Sequence, residues 1–181
     1  MSTEIKAIVF DVGRVLVRWD LRYLFAKLIG DEAELDWFLA NVVTEEWHLP
    51  QDDGRQLGPA VEARIAEFPA HAELIRAYVS RYNETIPGLV PGMKMLVERL
   101  AARAVPLYAI TNFGAEFWEG YRPTEPLFEH FRDVVVSGVE RVAKPDPAIF
   151  DLAERRFGYP AGAMLFIDDN LANIEAARAR G

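Results

Sequence analysis

The 181-residue sequence predicts an α/β chain, a doubly wound parallel sheet carrying an inserted all-helical segment. Three observations predict it. Short apolar runs recur along the chain, and each stops abruptly at a polar cluster. Helix-like periodicity follows each run, and one stretch near the start leaves this alternation and reads as helix throughout. Strands alternating with helices of about 10–15 residues mark βαβ units, whose crossovers cover a parallel sheet on both faces.

The first run, Ala7-Ile8-Val9-Phe10, breaks off at Asp11-Val12-Gly13, as a buried parallel strand entering a tight loop does. The strands expected after it are Val105 to Ile110, closing on Thr111-Asn112, then Val134 to Val136, then Ala163 to Ile167, closing on Asp168-Asp169. Between Asp20 and about Pro87 apolar residues recur at helical spacing: Leu21, Leu24, Phe25 and Leu28, then Leu35, Phe38 and Leu39, then Val61, Ile65 and Phe68, then Leu74, Ile75 and Tyr78. The division expected is a core of residues 1–19 and 87–181 with a helical cap of residues 20–86 over the strand ends. A helix through Met93, Leu96, Val97 and Leu100 returns the chain to the core. The last helix, from Leu171 to Arg180, stops at Gly181. A doubly wound sheet ordinarily adds another strand there, so a short C-terminal strand and tail are expected beyond it.

With 51% hydrophobic and 27% charged residues the composition is that of a soluble globular chain. The net charge of -8 repels polyanions, and no Lys/Arg stripe offers a nucleic-acid footprint. Any anionic small molecule must be captured locally, by a metal, a lysine or backbone N–H groups. The absence of cysteine excludes disulfides, thiolate nucleophiles and zinc-thiolate sites. Neither a leader-like N-terminus nor an apolar run of about 18 residues is present, so the chain reads as soluble, unexported and free of membrane, with the cytoplasm as the fitting compartment.

Four polar clusters stand at strand ends or a helix start: Asp11, Thr111-Asn112, Lys144 and Asp168-Asp169. Open α/β sheets bind ligands at the carboxyl ends of their strands, where these clusters converge. Singly, each is weak evidence: an Asp after a strand reads as a turn or helix cap, Lys144 as a surface lysine and Thr111 as a strand-terminal threonine. In this order, Asp11-Val12-Gly13-Arg14-Val15-Leu16, Ile110-Thr111-Asn112, Lys144-Pro145-Asp146-Pro147 and Ile167-Asp168-Asp169-Asn170 resemble the motifs of the haloacid dehalogenase superfamily, with the helical insertion at the place of a C1-type cap.

The resemblance implies a Rossmann-like core and a Mg2+-dependent phosphomonoester hydrolase acting on a small phosphorylated metabolite through an aspartyl-phosphate on Asp11. Asp11 and Lys144 are then the catalytic pair. Thr111, Asn112 and Lys144 bind phosphate, and Asp11, the Gly13 carbonyl and Asp169 ligate the metal, with Asp168 acting mainly behind them. A carboxylate attacks a phosphate dianion readily only where cations offset the approach of two anions, and Mg2+ takes hard oxygen ligands of this kind.

Gly13 departs from the pattern, since the family's second aspartate at that position exchanges a proton with the leaving group and then with water. Three readings follow. One is a phosphatase for esters that leave easily, resembling sugar-1-phosphatase-like relatives whose Asp-Leu-Gly-Asn-Val looks like residues 11–15. Another is a 2-haloacid dehalogenase, against which the Asp168-Asp169 pair stands. The third is a phosphate-binding protein without turnover.

Arg14, Arg18, Trp19, Tyr23, Trp47 and His48 are candidates for the pocket entrance, Trp19 and Tyr23 equally for a helix stripe. Glu45 to Pro50 reads as an exposed cap loop, Gln51-Asp52-Asp53-Gly54 as a turn, and Asn173 as a buttress of the acidic loop. The cap's apolar faces and the C-terminal helix leave a homodimer possible.

Overall fold

The computed structural model describes residues 4–181. Strand β1 (Ala7–Phe10) lies inside a four-stranded sheet between β4 (Leu107–Thr111) and β6 (Met164–Ile167), and β5 (Asp133–Val136) flanks β4. Every pairing in this sheet is parallel. Phe10 stands opposite both Ala109 and Ile167, and Thr111 opposite Val136. That register brings the residues after β1, β4 and β6 to one edge of the sheet.

Alternation along β1 sends Ala7 and Val9 to one face and Phe10 to the other. On the first face they pack with Tyr108, Ile110, Val135, Ile149 and Phe150, under the helices α9 (Pro147–Phe157) and α10 (Leu171–Arg178). On the second, Phe10, Leu107 and Ala109 join a larger cluster that runs without a break into Phe25, Phe38 and Tyr78 of the inserted helices. The insertion and the sheet therefore share one apolar core.

β4 begins two residues later than the sequence pattern predicts. Val105 N–H donates to Leu100 O at the end of α6 (Met93–Ala102), and Pro106 has no N–H to give to a ladder. On α6 itself only Val97 is fully buried, while Leu96 is exposed.

Two strands of two residues each, β2 (Val17–Arg18) and β3 (Gly88–Leu89), pair antiparallel where the chain leaves for the helical segment and returns from it. Between them lie α1 (Arg22–Phe25), α2 (Glu32–Asn41), α3 (Glu45–Asp52), α4 (Leu57–Glu67) and α5 (Ala72–Ser80). Helix α3 replaces the loop expected over Glu45 to Pro50. The Thr44 side chain accepts from Trp47 N–H at its start, Glu45 and Glu46 occupy its first turn, and His48, Gln51 and Asp52 are buried on its inner side. That burial overrides the disfavour of Pro50 for a helix interior. Gln51 and Asp52, expected in a turn, close this helix. Among the described residues no helix is long and apolar enough to cross a membrane.

Candidate active site

Asp11 is set by the end of β1. Its N–H donates to Ile167 O at 2.8 Å, carrying the β1–β6 ladder one residue past the strand. Its Oδ1 accepts from Val12 N–H at 2.7 Å and faces Lys144 Nζ at 2.8 Å. Burial raises the carboxyl to about 6, with the nearby Asp168 adding to the rise and Lys144 opposing it.

Lys144 is buried between two carboxylates, its Nζ also donating to Asp168 Oδ2 at 2.6 Å. A buried ammonium is tolerated only with such partners. The loop that carries it is held by Asn112, whose side-chain Nδ2 donates to Lys144 O at 2.9 Å while its Oδ1 accepts from Lys144 N–H at 2.8 Å. Thr111 ends β4 wholly buried, its Oγ1 3.5 Å from Asn112 O. The side chain of Asn112 thus belongs to the lysine loop, a tie that nothing in the sequence announces because it joins residues 32 positions apart.

Both oxygens of Asp168 are taken. Asn173 Nδ2 lies 3.0 Å from each, and Asn170 N–H donates to Oδ1. Asn173 therefore buttresses the acidic loop, as its place on the following helix predicts. Asp169 is exposed at the mouth, and carboxylate oxygens of Asp11, Asp168 and Asp169 lie within 4.8 Å of one another. Three carboxylates against one ammonium leave an excess of negative charge, and the donors are all hard oxygens. The set fits a small divalent cation such as Mg2+ better than a soft metal.

Gly13 and Lys144 face a cavity of about 160 Å³ whose other walls include Trp19, His48, Asp52 and Tyr82. A Cβ built at Gly13 meets nothing within 4 Å, so space stands open there. Arg14, at φ 61°, lies over the Trp19 ring and pairs with Glu45 of α3. Trp19 precedes α1 and stacks on His48 at 5.0 Å, so it forms no stripe with Tyr23, which is exposed. A larger apolar cavity of about 270 Å³ beside β6, lined by Phe150, Phe166 and Ile174, includes none of Asp11, Thr111, Asn112, Lys144, Asp168 and Asp169.

His48 and Asp52 are the residues of this pocket that the sequence pattern misplaces. His48 is 3% exposed, and its Nδ1 lies 2.5 Å from the Tyr78 hydroxyl. Burial, with Arg14 nearby, lowers its pKa to about 4. Asp52 is 5% exposed, and burial, with Asp53 and Asp11 nearby and the Gly114 N–H opposing, raises its carboxyl to about 8. Burial thus disfavours the charged form of both groups where His48 Nε2 approaches Asp52 Oδ2 at 3.5 Å.

Known proteins place this geometry. A sesquiterpene phosphatase of Aspergillus oryzae is 25% identical over all of this chain and 89% of its own length. A haloacid dehalogenase family enzyme of Bacteroides thetaiotaomicron, solved with magnesium and inorganic phosphate, is similar in structure with a TM-score of 0.75 and 21% identity, covering 98% of this chain and 91% of its own. An L-2-haloacid dehalogenase of Xanthobacter autotrophicus with chloropropionic acid covalently bound has a TM-score of 0.67 and 19% identity, over 98% of this chain and 75% of its own. The model of the haloacid dehalogenase-like hydrolases matches residues 5–181, and the chain belongs to that family.

Proposed function

We propose that the protein is a Mg2+-dependent phosphomonoester hydrolase that passes the phosphoryl group of a small metabolite through Asp11. The observation that carries this reading is Lys144 Nζ, held between Asp11 and Asp168 beside a third carboxylate and an open cavity. Asp11, the Gly13 carbonyl and Asp169 would hold the metal, with Asp168 behind them positioning Lys144. Bound there, the cation supplies charge neutralisation for the approach of a phosphate to a carboxylate.

The chain's own residues then divide the work. Lys144 keeps Asp11 ionised against its burial and meets phosphate oxygens. The Thr111 hydroxyl and the Asn112 N–H are the further phosphate donors. A cavity of about 160 Å³ supports a small substrate, a phosphate with a short organic group such as a sugar phosphate. Residues 20–86 act as its cap, with Trp19 and Tyr82 as apolar walls. The Aspergillus relative's phosphatase name and the magnesium and phosphate of the Bacteroides complex support the reaction class.

The test is phosphate release from a panel of phosphomonoesters with Mg2+ and with EDTA, alongside halide release from 2-chloropropionate. EDTA-sensitive phosphate release is expected. Halide release that survives EDTA overturns the reading in favour of a dehalogenase, and binding of phosphate without turnover in favour of a phosphate-binding protein.

A further inference from the structure

The open space at Gly13 raises the question of which group exchanges protons with the leaving oxygen. Gly13 has no side chain, and the other acids nearest Asp11 have roles already: both oxygens of Asp168 are hydrogen-bonded, Glu45 is paired with Arg14, and Asp169 is the metal ligand of the proposed reading. Asp52 keeps one oxygen uncommitted, although the Gly114 N–H favours its carboxylate form. The residue lines the same cavity as Gly13, Lys144 and Asp169. Among the described residues its Oδ1 is buried without a hydrogen-bond partner. A buried, unpartnered carboxyl oxygen is destabilising, and such costs persist where function keeps them.

Its setting is fixed rather than accidental. Helix α3 ends at Asp52, whose main-chain carbonyl accepts from the Ser137 hydroxyl, and the same hydroxyl oxygen accepts from Phe113 N–H at 3.0 Å, one residue past Asn112. The helix end is thus tied to the loop that follows β4. His48, one turn earlier, has its Nδ1 engaged by Tyr78 and its ring stacked on Trp19, so it presents only Nε2, toward Asp52.

Resting on the phosphatase reading, we propose that Asp52 is the general acid and base of this enzyme, supplied from the helical segment in place of a side chain at residue 13. In the first step an oxygen of Asp11 bonds to phosphorus and the bond from phosphorus to the ester oxygen breaks. That oxygen takes the Asp52 proton, leaving a carboxylate. In the second, water attacks the phosphorus of the aspartyl-phosphate and gives its proton to Asp52. The bond from phosphorus to Asp11 breaks, and phosphate leaves with both carboxyls restored. A raised pKa suits the first step, because the acid holds its proton at neutral pH. His48 packs against this carboxyl, its Nε2 3.5 Å from Asp52 Oδ2.

The test compares kcat/KM, which reports the first step, on two esters with Mg2+. One is 4-nitrophenyl phosphate, whose phenolate leaves unprotonated, and the other is an alkyl phosphate from the panel. Asp52→Asn is expected to lose about 100- to 10,000-fold on the alkyl ester and under about tenfold on the nitrophenyl ester. Gly13→Asp, which the open space admits, is expected to restore at least about tenfold of the alkyl activity in the Asp52→Asn background.

The wild-type enzyme gives a readout independent of any variant's folding. Its kcat/KM on the alkyl ester is expected to fall above pH about 8, where Asp52 ionises, and to hold on the nitrophenyl ester. The other charged or titratable groups facing Asp52 are Asp53, Asp11, His48, Tyr78 and Tyr82, and of these the burial-raised tyrosines stay neutral throughout that range. Equal losses on both esters in Asp52→Asn, or parallel pH profiles, overturn the assignment while leaving the phosphatase reading intact. Wild-type enzyme that releases phosphate from neither ester overturns that reading, and the assignment with it.

Discussion

Lys144 shows how few side chains carry the proposed chemistry and how closely they depend on one another. Its ammonium answers two carboxylates, so removing it leaves a buried pair of like charges; Lys144→Met is expected to abolish phosphate release and to cost about 3–5 kcal/mol of stability. Urea denaturation with parallel phosphate assays checks both. Asn112→Ala removes two hydrogen bonds to the lysine loop and is expected to cost about 1–3 kcal/mol, with kcat falling more than KM rises because the loop no longer fixes Nζ. Asp11, Lys144 and the Asp168-Asp169 pair were legible because each stands where a strand or helix boundary can be read locally. Asp52 was not. Its burial depends on where α3 packs, and the Pro50 and Gly54 around it speak locally for a loop and a turn.

At the scale of elements, the site depends on one close approach. A Cβ on Gly138, in the short helix α8 (Ser137–Glu140) after β5, would lie 2.5 Å from Ala115 N and 2.7 Å from Phe113 O. Those atoms belong to the segment leading from β4 to α7 (Ala115–Tyr121), and backbone cannot yield as a flexible side chain does. Gly138→Ala is therefore expected to destabilise by about 1–3 kcal/mol and to lower kcat by displacing Phe113 in the cavity wall, which thermal unfolding and the phosphate assay read separately. The main strands were legible from apolar runs. The pair β2 and β3 was not, because two residues carry no periodicity, and their pairing is decided by Arg18 meeting Gly88 some 70 positions on.

For the whole molecule, the buried His48 and Asp52 couple stability to pH in a window that can be stated. His48 has its pKa lowered from 6.5 to about 4, so its neutral burial costs stability only as pH falls below about 6.5. Asp52 is raised from 3.8 to about 8, so the folded chain keeps a proton that the unfolded chain releases, and stability is lost as pH rises toward 8. Below about 6.5 the two effects oppose each other. Between about pH 6.5 and 8 only the Asp52 effect remains of the two, and stability is expected to fall by about 2 kcal/mol. In Asp52→Asn that fall should shrink, as melting temperatures measured across the window in EDTA would register. The helical segment and the sheet share one apolar cluster, so this titration reaches the stability of the whole chain.

The central claim is that phosphate passes through Asp11, and the most direct measurement is peptide mass spectrometry after acid quenching of the enzyme turning over a phosphomonoester with Mg2+. The peptide containing Asp11 is predicted to carry the added mass of one phosphoryl group, and Asp11→Asn to lose both the adduct and turnover. Phosphate release with no adduct on that peptide, and with turnover surviving in Asp11→Asn, would contradict the account.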